Sequence, residues 1–185
     1  MIENRPYHLI INKLKADAVL ARLASQVVEL LYFHPNLKIL AVQPRGLSLA
    51  RHICDIININ SQIKIKAGKI DPTFYRDDIA THNKLIYPNE SDVGFEIENQ
   101  PVLLIDDVIF TGRTIRASMD ALLDFGRPKW IKLMVLVNRH LDREIPISVD
   151  YEGIRIELDP TEKILIELVG SEISATISKE KNAKL

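Results

Sequence analysis

Two adjacent carboxylates, Asp106 and Asp107, follow the apolar run Val102-Leu103-Leu104-Ile105 and precede Val108-Ile109-Phe110-Thr111-Gly112-Arg113-Thr114. Ionised carboxylates only accept hydrogen bonds, so a neighbouring pair suits a ligand with two hydroxyl donors. Thr111 and Thr114 offer hydroxyl donors, and Gly112 between them lets the backbone approach a ligand closely. The apolar run reads as a strand buried on both faces, and a helix is expected from about Thr114 to Asp124. A strand, a polar loop and a helix start make an anion site, because unpaired N–H groups and the helix dipole point at the loop. Acceptors for a diol beside donors for a phosphate describe a ribose 5-phosphate.

The rest of the chain must hold that loop in place. Apolar residues at spacings of three and four predict a helix over 12–33, ended by His34-Pro35-Asn36. Leu37 to Val42 reads as a strand, Gln43-Pro44-Arg45-Gly46 as a turn, and 47–58 as a second helix. Strands are expected from Ile63 to Ile70, Thr73 to Tyr75, Trp130 to Val137, Ile145 to Val149 and Lys163 to Val169. Residues 76–98 are polar and without periodicity, which is long for a plain connection and marks a functional loop or mobile hairpin. Phe125-Gly126-Arg127-Pro128 is a helix stop, and the tail from Ser178 to Leu185 is expected to fray. Strands alternating with helices give an α/β fold with a parallel sheet covered on both faces. Ligands then bind at the carboxyl ends of the strands, where 43–46, 106–114 and the residues after Val137 meet.

The segment from Val102 to Thr114 resembles the signature of the type I phosphoribosyltransferases, which bind 5-phosphoribosyl 1-pyrophosphate (PRPP). Further elements resemble one subfamily, the pyrimidine operon attenuation regulator / uracil phosphoribosyltransferase family. They are Asp71-Pro72-Thr73-Phe74-Tyr75-Arg76-Asp77-Asp78, Gly126-Arg127-Pro128, Arg143-Glu144-Ile145-Pro146-Ile147 and Asp150-Tyr151-Glu152-Gly153. The resemblance implies the type I phosphoribosyltransferase fold in a single domain: a parallel central sheet flanked by helices, a small hood, and a flexible loop at 76–98. It implies conversion of uracil and PRPP to UMP and pyrophosphate with Mg²⁺, and a homodimer or higher homo-oligomer. It also implies binding of pyrimidine leader RNA in answer to uridine nucleotide. A transferase for another nucleobase is the further alternative.

Carried onto this chain, Asp106 and Asp107 are the catalytic pair that holds the ribose diol. Val108, Ile109, Phe110, Thr111, Gly112, Arg113 and Thr114 form the 5-phosphate loop. Arg45 and Gly46 keep part of the pyrophosphate loop, and the Arg45 fork suits phosphate oxygens. Arg76, Asp77 and Asp78 open the flexible loop, with Arg76 in reach of pyrophosphate. Val137, Asn138 and Arg139, within a base-pocket and hood region at 138–169, are the base-binding candidates. No dedicated metal site is expected, because Mg²⁺ is held largely by PRPP and water. The chain departs from the family at 138–142, where Asp-Arg-Gly-His-Arg-Glu is usual, and at 153–159, where Gly-Lys-Asn-Ile-Pro-Thr-Ser is usual. These departures shift local charge toward negative and predict RNA binding that is weak and salt-sensitive.

Composition limits the other classes. The net charge is −1, so no global basic surface for nucleic acid exists; the basic clusters Lys64/Lys66/Lys69 and Arg127/Lys129 are local. The single Cys54 cannot form an internal disulfide and fits a reducing cytoplasm. No apolar run reaches membrane-spanning length, and Met1 to Pro6 lacks a signal-peptide pattern.

Overall fold

The computed structural model describes residues 7–77, 89–140, 143–159, 161–169 and 172–179. The core is a five-stranded parallel sheet in the order β3-β2-β4-β5-β6. Its strands are β2 (Lys38–Val42), β3 (Ala67–Ile70), β4 (Pro101–Ile109), β5 (Trp130–Arg139) and β6 (Tyr151–Ile156). β4 sits at the centre and is buried continuously from Pro101 to Asp107, as its unbroken apolar run requires. Alternate residues face opposite layers. Leu103 and Ile105 join a core with α1 (Lys13–Phe33) and α2 (Arg45–Asn60). Val102 and Leu104 join a second core with Ile115, Ala121 and Leu122 of α3 (Arg113–Leu123).

α1 begins where the Asn12 side chain accepts from the Lys15 N–H at 2.9 Å, an N-cap that satisfies an otherwise orphaned donor. Its buried stripe runs through Val19, Leu23, Val27 and Leu30. A separate antiparallel sheet, β1-β8-β7, forms the hood. It combines β1 (Tyr7–Ile11) with β7 (Glu162–Val169) and β8 (Glu172–Lys179). Ile11, Ile166, Ile173 and Ala175 share the α1 core with Met134 and Leu136 of β5, so the hood is packed onto the sheet.

Three expectations need correction. Only Ala67–Ile70 of the expected 63–70 strand is extended and paired. Thr73–Tyr75 is a turn of 3₁₀ helix, not a strand, because Asp71 Oδ1 captures the Thr73 N–H at 2.8 Å and bends the chain. Ile145–Val149 is irregular. The Thr111 carbonyl accepts from both Glu144 and Ile145 N–H, at 3.0 and 3.1 Å, and Pro146 has no donor for a ladder. β1, β6 and β8 are strands that the pattern did not announce, and β8 extends the order of the tail to Lys179.

Candidate functional site

β4 delivers Asp106 and Asp107 to the carboxyl end of the sheet while both are still buried, at 5% and 7% exposure. The Asp107 N–H donates to Asp106 Oδ1 and the Val108 N–H to Asp107 Oδ1, each at 2.8 Å. Burial and the neighbouring Asp107 charge push the Asp106 carboxyl well above its ordinary range. Burial also raises Asp107, against hydrogen bonds from the backbone and the charge of Arg45. Asp107 Oδ2 is buried and has no hydrogen-bond partner among the described residues; Arg45 Nη1 stands 4.0 Å from it. A buried acceptor left without a donor costs about 1–3 kcal/mol, so a ligand hydroxyl or a hydrated cation is favoured there.

Gly46 is what brings α2 so close. A Cβ at this position would lie 2.5 Å from the Ile105 carbonyl oxygen and 3.3 Å from Asp106 Oδ1. The start of α2, with Arg45, therefore rests directly on the end of β4. α2 has no side-chain N-cap and no acidic residue in its first turn, and the same holds for α3. Both helix starts favour anions.

Between β4 and α3 lies a cavity of about 340 Å³, lined by residues 108–114 with Arg76 and Glu144. Gly112 caps α3 at φ +94°, a conformation that L side chains adopt with strain. Arg76 Nη1 donates to Thr114 Oγ1 at 2.8 Å, which sets this guanidinium at the phosphate-loop end of the crevice. Asp77 binds Arg113 at 2.7 Å and Arg116 at 3.4 Å. Asp78 lies outside the described residues. The returning limb of the polar segment is fixed as well. Asp71 Oδ2 accepts from the Asn89 side chain at 3.0 Å, and Gln43 Nε2 donates to the Glu90 carbonyl at 2.9 Å. Burial of Asp71 works against its ionisation, but hydrogen bonds from Thr73 and Asn89 outweigh burial and hold its carboxyl below the usual range.

β5 ends beside this cavity, paired so that Ile109 faces Asn138. Val137, Asn138 and Arg139 are all buried. Asn138 Nδ2 donates to Glu152 Oε2 at 2.6 Å, and Asn138 Oδ1 accepts from Arg143 at 2.9 Å. Arg143 also donates to the Phe110 carbonyl. Burial would raise the Glu152 carboxyl, but hydrogen bonds from Asn138 and Arg155 lower it instead. A second cavity of about 360 Å³ opens beside Asn138, Arg143 and Arg155.

The phosphoribosyl transferase domain model matches residues 10–168. The chain belongs to the phosphoribosyl transferase family. It is 41% identical over 155 residues to the bifunctional protein PyrR of Desulfosudis oleivorans, covering 82% of this chain and 84% of that one. It is 37% identical over 162 residues to the bifunctional protein PyrR of Bacillus subtilis, covering 86% and 89%. Among solved structures, the HGPRT-ase of Leishmania tarentolae in complex with GMP superposes with a TM-score of 0.65 at 16% identity, over 95% of this chain and 98% of that one. The hypoxanthine phosphoribosyltransferase of Trypanosoma cruzi gives 0.63 at 16% identity, over 93% and 97%. These last two share the fold.

This phosphoribosyl transferase therefore gathers Arg45, Gly46, Arg76, the acidic pair and residues 108–114 into one crevice. Asp77 joins through Arg113 rather than by facing the cavity. Val137 contributes to the hydrophobic core. Sequence reasoning gave no role to Glu144, which lines the 340 Å³ cavity, or to Arg143, which ties the loop to Asn138. The Arg-Glu-x-Pro-Ile element that contains both was the available signal. Glu152 lies in the resembling Asp150-Tyr151-Glu152-Gly153 element, but nothing local points to its partner Asn138, fourteen positions away. Among the described residues no helix is long and apolar enough to cross a membrane.

Proposed function

We propose that this phosphoribosyl transferase moves the 5-phosphoribosyl group of PRPP to uracil, releasing pyrophosphate and forming UMP. The carrying observation is the acidic pair directly before residues 108–114, which line a cavity of about 340 Å³, with Asp107 Oδ2 buried and without a hydrogen bond among the described residues. Asp106 and Asp107 hold the ribose 2- and 3-hydroxyls, and their charge lies close to the anomeric carbon as positive character grows there. Residues 108–114 bind the 5-phosphate through loop N–H groups, the Thr111 and Thr114 hydroxyls and the start of α3, with Arg76 adding a cation. Arg45 and the start of α2 face the departing pyrophosphate. Residues 76–98 exclude water from the reacting centre.

Mg²⁺ fits this donor set. Hard cations take oxygen ligands, and the unpaired Asp107 Oδ2 is one. PRPP and water would supply the rest of the shell. When bound, the ion neutralises pyrophosphate charge. Uracil is chosen from the subfamily resemblance and from the relatives named PyrR. The protein works in this reading as a cytoplasmic homo-oligomer.

The deciding experiment measures nucleotide formation from PRPP with uracil beside hypoxanthine, adenine and orotate. UMP is the expected main product. Turnover of another base alone moves the specificity; no turnover with any base in folded protein removes the reading. A second function is suggested by the word bifunctional in the relatives' name, namely UMP-responsive binding of pyrimidine leader RNA. Arg143 and Arg155 beside the 360 Å³ cavity are the local cations, but Arg155 is held at 2.9 Å by Glu152. Binding is therefore expected to be weak and to fall steeply with salt. A titration at near-physiological salt, with and without UMP, checks it; tight, UMP-dependent binding overturns the expectation.

A further inference from the structure

The phosphate loop carries one exposed aromatic ring, which does not suit phosphate. Phe110 stands between the acidic pair and Thr111, lines the 340 Å³ cavity, and leaves 40% of its surface exposed. An apolar ring in a polar anion loop calls for a reason, and its surroundings supply one. The Arg139 guanidinium carbon lies 3.9 Å from the ring centroid. Arg139 is buried, and its Nη1 donates to the Glu162 carbonyl at 2.9 Å, at the start of the hood strand β7. The Phe110 carbonyl is in turn fixed by Arg143. The ring is thus clamped from the hood side and from its own backbone, at the junction of the phosphate loop and the hood.

We infer that Phe110 is the stacking platform for the nucleobase, with Arg139 as the positioning residue that holds the ring. The inference rests on the phosphoribosyl-transfer reading above. A base joined to a ribose held by Asp106 and Asp107 must lie beside the loop that follows them. The two buried polar side chains on that side are engaged already: Asn138 by Glu152 and Arg143, and Arg139 by the Glu162 carbonyl and the ring itself. The half-exposed ring of Phe110 offers a base an apolar surface. A guanidinium against one face of an aromatic ring is attracted by its quadrupole, so the ring is held in place before the base arrives. Stacking accepts any base; the choice among bases then falls to contacts at the base edge.

The test compares UMP, GMP and ribose 5-phosphate binding to the full chain by calorimetry. Phe110→Ala should weaken UMP about 5- to 150-fold, the range that loss of one base–aromatic stack gives. Ribose 5-phosphate should stay within about twofold, and Phe110→Tyr should restore UMP binding. Arg139→Leu should weaken UMP selectively and Arg139→Lys should recover part of it, which a merely structural role would not produce. Equal weakening of UMP and ribose 5-phosphate by Phe110→Ala would assign the ring to loop structure and overturn the inference. Unchanged UMP binding would overturn it too, as would wild-type protein that binds neither nucleotide better than ribose 5-phosphate. If the wild type prefers GMP, the pyrimidine reading fails, while GMP against ribose 5-phosphate still tests the platform.

Discussion

The two ends of the crevice are built in opposite ways. At the end proposed for the phosphates, groups are left wanting: among the described residues Asp107 Oδ2 has no hydrogen bond, only Arg45 at 4.0 Å, and neither α2 nor α3 has a side-chain cap. At the base end, buried polar groups complete one another, Asn138 with Glu152 and Arg143, and Arg139 with Glu162 and Phe110. In the proposed reading the unsatisfied groups receive the ligand that carries many charges. Satisfied ones shape a wall, and leave recognition to an aromatic face and to whatever edge contacts the base finds.

The difference is broken most directly at the acidic pair. Asp106→Asn and Asp107→Asn should each lower kcat/KM about 10- to 150-fold, the worth of one charged hydrogen bond of about 1.5–3 kcal/mol, with the fold intact by circular dichroism. Near-normal kinetics in the double variant would detach catalysis from these carboxylates. Gly46→Ala comes next. A methyl group 2.5 Å from the Ile105 carbonyl oxygen must push α2 away from the pair, so overpacking should cost about 1–3 kcal/mol in denaturant unfolding and weaken pyrophosphate binding. An unchanged midpoint would mean that α2 is not seated there.

A smaller effect concerns pH. The folded Asp106 pKa is raised, so the unfolded chain ionises this carboxyl more readily. The stability associated with its protonated form is complete below about 3.9, the unfolded value, and is lost as pH rises through the folded one. Asp71 and Glu152, held below the ordinary range, act in the opposite direction and are common to both proteins, so the thermal midpoint of the unliganded wild type relative to Asp106→Asn should decline over that window. A difference that rises through the same window would contradict the burial of the pair. Least of all, Asp77→Ala should leave the thermal midpoint unchanged, because the pair with Arg113 is exposed and screened. A large fall would show that the root of the 76–98 segment carries part of the fold.

The same contrast explains what could be read in advance. β4, α1 and the phosphate loop announce themselves because their function lies in local order: an apolar run, a period of three and four, then Asp-Asp and Thr-Gly-Arg-Thr. The base end depends on distant pairs, such as Arg139 with Glu162 and Asn138 with Glu152. No local pattern encodes them. Thr73–Tyr75 and Ile145–Val149 have strand-like composition, yet Asp71 and the Thr111 carbonyl take the N–H groups that a ladder would use. β1 is short and β8 mixes small and polar residues with its isoleucines; β8 pairs with β7 on one side and with β1 on the other, the latter across the length of the chain.

That last pairing sets an order of assembly. Tyr7 is matched with Ser178 and His8 with Ile177, so β1 waits for β8, which is made much later. The central sheet and its acidic pair can form while synthesis continues, because their contacts are nearer in sequence. The hood cannot close until β8 has emerged. Arg139 reaches the ring of Phe110 from beneath that hood, so the wall of the base site is completed after the seat for the phosphate, and a chain cut short before β8 would hold the sugar end without the means to finish the other.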